Sequence, residues 1–146
     1  MKVLKSALRG CIGPAVAGVA LLGGANAAMA VTAQFQVTNS FGTTLFLDTA
    51  SCTSGSIFPP SSIASGGSPI FSGTTTDTTT LCTVRYQSGS FGCQFQVQVL
   101  QSGTTLTGFT STNAYKGSGG RPLCSKLNGP NGAAITNGWF GAFQMQ

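Results

Sequence analysis

The chain has 146 residues, only 6% of them charged, with 7 Lys and Arg against 2 Asp, no Glu and no His. Catalysis by proton transfer needs side chains that titrate near the working pH, so this composition excludes most hydrolase designs. Asp48 and Asp77, one ending an expected strand and the other inside a Thr run, suit turns better than a glycosidase carboxylate pair.

Residues 1–30 have the layout of an export signal. Lys2, Lys5 and Arg9 precede an apolar run from Ile12 to Leu22, and Ala28-Met29-Ala30 follows it. The run is too short to span a bilayer, and the small residues behind it fit cleavage after Ala30; Ala25-Asn26-Ala27 satisfies the same rule for a cut after Ala27. Cys11 precedes most of the apolar run, the wrong place for a lipid-modified cysteine. Cleavage leaves one domain, residues 31–146, long enough to bury roughly two-thirds of its unfolded surface.

The same cleavage leaves Arg85, Lys116, Arg121 and Lys126 against Asp48 and Asp77, so the net charge falls from +5 to +2. Nucleic-acid binding needs clustered phosphate-neutralising residues, and this remainder supplies no such stripe, so no nucleic-acid partner is expected. Lys116, Arg121 and Lys126 come nearest, in a Gly-rich loop.

Cys52, Cys82, Cys93 and Cys124 remain. In an exported chain four cysteines point to two disulfides. The intervals of 29, 10 and 30 residues and the absence of His lack the close pairs of a zinc site, so neither a metal nor a cofactor is expected. Of the three pairings, a hairpin centred near Gln87-Ser88 favours Cys82 with Cys93, leaving Cys52 for Cys124. A nucleophilic cysteine has no histidine to activate it, and Ser125-Lys126 is weak as a hydrolytic dyad.

Val31 to Thr38 alternates apolar and polar side chains with the period of a strand. Asn39-Ser40-Phe41-Gly42 supplies turn residues, and Thr43 to Asp48 returns as a second strand of a hairpin. Between Cys52 and Gly67, Phe58-Pro59-Pro60 and Ser65-Gly66-Gly67 indicate an edge segment or long loop. Ile70-Phe71-Ser72 reads as a short strand, and the Thr-rich run from Gly73 to Thr80 gives no buried face and a weakly fixed register. Cys82, Val84 and Tyr86, then Cys93, Phe95, Val97 and Val99, flank a Ser88-Gly89-Ser90 turn and form a second hairpin, with Gln94, Gln96 and Gln98 facing water. Thr104 to Thr110 adds a strand. Ser111 to Asn137 reads as loops pinned by Cys124, with a short strand near Ile135, and Trp139 to Gln146 as a closing strand. The expected fold is all-β, a single antiparallel β-sandwich domain with two disulfides.

Aromatic residues at turns and loop edges are the remaining raw material for function. Phe41, Phe58, Phe91, Tyr115 and Trp139 are the candidates for surface contact, because a flat ring removes much area from water with little loss of rotamer freedom.

Several short stretches, from Val37-Thr38-Asn39 and Thr43 to Leu47 through Pro59-Pro60-Ser61-Ser62-Ile63 and Gly66-Gly67 to Thr83-Val84-Arg85-Tyr86 and Phe95-Gln96-Val97, occur in an order similar to that of the aegerolysins. The resemblance covers about Val31 to Gly103 and implies a secreted, non-enzymatic β-sandwich that associates with particular membrane lipids, sometimes with a larger pore-forming partner. The four cysteines, the single Trp and the scarcity of acidic residues depart from the family's pattern. Two alternatives carry different partners: a cell-surface or fimbria-like subunit that assembles by strand addition, and a secreted inhibitor or antimicrobial effector whose contact surface is the loop Tyr115 to Gly132.

Overall fold

The structure, a computed structural model, describes residues 29–146. The export signal expected over residues 1–30 lies, up to residue 28, outside the described residues, and so does Cys11. Eleven strands and no helix make up the described part. In chain order they are β1 (Val31–Asn39), β2 (Leu45–Cys52), β3 (Ser56–Ile57), β4 (Ser62–Ile63), β5 (Ile70–Thr75), β6 (Thr79–Ser88), β7 (Phe91–Ser102), β8 (Thr105–Lys116), β9 (Cys124–Lys126), β10 (Ala133–Ile135) and β11 (Gly138–Met145). One sheet runs β10-β11-β1-β5-β3, with β9 also paired to β11; the other runs β4-β2-β6-β7-β8. Packed face to face, they form the expected β-sandwich.

Alternation does the folding. β1 buries Val31, Ala33, Phe35, Val37 and Asn39 and turns the residues between them outward. β6 buries Cys82, Val84 and Tyr86, and β7 buries Phe95, Val97 and Val99. Phe143 of β11 lies 5.9 Å from Phe35 on its own sheet and 5.1 Å from Phe95 on the opposite one, so a single ring bridges the layers. Each such side chain contributes about 1.5–3 kcal/mol of burial.

The expected hairpin of β1 and β2 does not form, because the two strands belong to different sheets. Both edges of β1 are occupied, by β5 antiparallel and by β11 parallel. Asn39 directs the crossing. Its fully buried side chain donates to the Thr43 and Ile63 carbonyls at 2.7 and 2.8 Å and accepts from the Phe41 N–H at 3.0 Å, which turns the chain out of one sheet and into the other. The β1–β11 pair is the exception to the otherwise antiparallel ladders, and the rest of the domain serves as its crossover.

The Thr-rich run is also better fixed than its composition indicates. β5 holds register with β1 from Gln36↔Ile70 to Val31↔Thr75, burying Phe71, Gly73 and Thr75. β8 extends past Thr110 to Lys116, through a stretch expected to be loop.

The β6–β7 hairpin forms with its turn at Gly89-Ser90, within the expected Ser88-Gly89-Ser90 stretch and not centred on Gln87-Ser88; Gly89 is at φ 59° and Ser88 pairs with Phe91. That register sets Cys82 opposite Val97 and Cys93 opposite Tyr86. The expected bridges Cys82–Cys93 and Cys52–Cys124 are therefore replaced by Cys52–Cys82 and Cys93–Cys124. Cys52–Cys82 joins directly opposed residues of β2 and β6, whereas Cys93–Cys124 ties β7 of one sheet to β9 of the other.

Candidate functional site

The segment between β3 and β4 crosses the side of the sandwich, since β3 pairs with β5 in one sheet and β4 with β2 in the other. Ile57 and Ile63 are buried at its two ends, and Pro59-Pro60 fixes two backbone φ angles between them. The buried Tyr86 hydroxyl donates to the Pro60 carbonyl at 2.7 Å, and the Leu47 N–H donates to the Ser61 carbonyl at 2.9 Å. Phe58 projects from this held segment with 85% of its surface in water. Phe46, opposite Ser62 on β2, is also exposed. Burial pushes the Tyr86 phenol well above its ordinary range, so it stays a donor to Pro60.

A polar cluster covers the outer face of the β2-β6-β7-β8 sheet at the same end. Two bulges build it, one leaving Asp48 between Leu47 and Thr49 of β2 and one leaving Tyr115 between Ala114 and Lys116 of β8. A bulge bends the strand and re-aims its extra side chain. Tyr115 consequently lies across the sheet over Gly92, where an added Cβ would sit 2.7 Å from the ring, and its hydroxyl donates to Asp48 Oδ2 at 2.9 Å. Arg85 stacks on the ring at 5.0 Å and Lys116 at 5.4 Å, and Lys116 Nζ also donates to Gln87 Oε1. Burial, reinforced by the bond to Asp48 and its charge, raises the Tyr115 pKa above the ordinary phenolic range; Arg85 pulls it the other way.

The five candidate aromatics thus have different surroundings. Phe58 stands out from the surface. Phe41 and Phe91 pack on each other at 5.4 Å and against the core, with the Arg121 guanidinium 5.4 Å from the Phe41 ring. Tyr115 is half-buried under its cations. Trp139 lies over Gly108, and its Nε1 donates to the Asn131 carbonyl at 2.5 Å.

Sequence reasoning passed over Asp48, Arg85, Gly92 and Lys116 as a group, since no spacing along the chain links them. The available signal was local: Ala114-Tyr115-Lys116 interrupts the alternation of its strand.

Among the described residues, groups with reactive potential do not converge. Asp48 and Asp77 flank opposite ends of β6, and Asp77 sits in the β5–β6 turn, its N–H bonded to Thr75 Oγ1. Lys126 Nζ is engaged with the Thr110 and Pro130 carbonyls, away from hydrolytic use with Ser125. Among the described residues, no group of three or more His, Cys, Asp or Glu could hold a metal ion, and no helix is long and apolar enough to cross a membrane.

No protein-family model matches the chain, and no curated protein matches it. Among solved structures, the crystal structure of IP-1A from Alcaligenes faecalis is similar, with a TM-score of 0.55 at 11% identity over 82% of this chain and 94% of that chain. At that identity the likeness is one of fold alone.

Proposed function

We propose that the chain is exported and acts as a non-enzymatic binding protein that associates with lipid membranes in the manner of the aegerolysins, with Phe58 as its leading contact. The observation that carries this reading is an apolar ring, 85% exposed, on a segment braced by two prolines and two hydrogen bonds. Holding a large apolar side chain in water costs solvation free energy that a surface contact would recover, and the bracing reduces the ordering cost of that contact. Two disulfides fit an oxidising compartment, which agrees with the export signal read in residues 1–30. The sequence resemblance names the same class of partner.

Co-sedimentation and dye leakage with liposomes of varied lipid composition test the reading on oxidised protein. Composition-selective binding that Phe58→Ala weakens at least tenfold is expected, from a burial term of roughly 1.5–3 kcal/mol for one such ring. No binding at any composition would refute it and direct attention to protein and glycan partners.

A further inference from the structure

The loop between β8 and β9 borders an open groove of about 410 Å³ beside Tyr115, lined by Lys116, Gly117, Ser118, Gly120 and Arg121 among others. It gathers two of the four cations that follow residue 30, and neither aspartate lines it. Both cations are positioned by neutral groups. Lys116 is held by Gln87 Oε1 and the Tyr115 ring, and Arg121 by the Phe41 ring. Asp48, the carboxylate on this face, is engaged by the Tyr115 hydroxyl.

The backbone gives the groove a fixed shape. Ser118 and Arg121 exchange both backbone hydrogen bonds, at 3.1 and 3.2 Å, around Gly119 and Gly120, whose φ angles are 60° and 74°. Gly117 permits the loop to close on itself, since a Cβ there would sit 1.9 Å from the Arg121 carbonyl oxygen. The Cys93–Cys124 disulfide secures both limbs, because Cys93 pairs with Ala114 at the groove's start and Cys124 follows Pro122 at its end.

We infer that this groove binds a phosphate group, carried by a soluble ligand or by a lipid headgroup. A guanidinium fork and a lysine point charge in a groove whose lining holds no carboxylate are suited to a doubly charged oxyanion, which would supply the missing countercharge. The soluble case stands by itself; the lipid case rests on the membrane reading above, and there the topology is favourable. The groove lies at the end of the sheet where β6 turns into β7, the same end at which Tyr86 and Leu47 hold the Phe58 segment, on the opposite edge.

Titrating inorganic phosphate into the oxidised protein while following backbone amides by NMR tests the site directly. Saturable shifts at Gly117, Ser118, Gly120 and Arg121 are expected, with affinity weakened at least tenfold in Lys116→Gln/Arg121→Gln and less in Lys116→Gln alone. Chloride at equal ionic strength reproducing the shifts, or a double variant that folds and titrates unchanged, would overturn the site. In a second arm, vesicles with and without phosphatidic acid locate the source. Enhancement by phosphatidic acid that the double variant loses assigns the lipid headgroup; phosphate binding with no such enhancement assigns a soluble ligand. Vesicle binding without a phosphate response defeats the groove alone, whereas a phosphate response without vesicle binding defeats the membrane reading alone.

Discussion

The Phe58 segment and the Lys116–Arg121 groove occupy opposite edges of one end of the sandwich, and they are held by different means. The first is fixed by hydrogen bonds from the buried Tyr86 and the half-buried Leu47 and by two short edge pairings. The second hangs beyond the end of β8 and is closed by a disulfide between the sheets. A noncovalent brace fails when its donor is removed and a covalent one fails on reduction, so the two regions should be separable.

The largest effect is expected from Cys93→Ala/Cys124→Ala. Closing a loop of this length contributes roughly 3–4 kcal/mol in the chain-entropy account, so the denaturation midpoint should fall accordingly. Phosphate shifts should vanish while vesicle partitioning persists; loss of both together would show that the regions are one unit. Tyr86→Phe should cost about 1–3 kcal/mol, because the Pro60 carbonyl loses its donor. Here the comparison reverses, with vesicle binding reduced several-fold and phosphate binding intact. Phe58→Ala should change stability by less than about 0.5 kcal/mol, since the side chain is exposed, and an urea titration beside the sedimentation assay would check both halves of that expectation.

The smallest effect near neutrality concerns pH. The phenols of Tyr86 and Tyr115 are raised in the folded protein from a reference of 10.0, so between that value and their folded pKa the unfolded chain releases protons that the folded one retains. Their contribution to stability is complete below pH 10 and declines as pH rises above it. Denaturant midpoints measured across that range should fall, with a smaller slope in Tyr86→Phe.

What was legible in the sequence follows the period of two. β1, β6 and most of β7 alternate cleanly, and from them a sandwich could be inferred. The partners of those strands were less accessible. Nothing local shows that Asn39 spends its side chain on the Thr43 and Ile63 carbonyls, so an arch between sheets reads as a hairpin. The disulfide error has a similar origin: the turn at Gly89-Ser90, in place of one centred on Gln87-Ser88, moves Cys82 four positions along its partner strand, from Cys93 to Val97. The candidate aromatics were readable as a set, but their exposures depend on tertiary neighbours such as Gly108 beneath Trp139. The groove was foreshadowed only as cations in a Gly-rich loop.

Membrane contact through Phe58 is the central claim, and a ring-specific probe tests it most directly. Phe58→Trp should fold as the parent does, and Trp139, packed over Gly108, supplies a constant background. On mixing with vesicles of a composition that the parent sediments with, the difference spectrum between variant and parent should shift to the blue and be quenched by brominated lipid. Emission at position 58 unchanged by every composition that binds the protein would contradict the account.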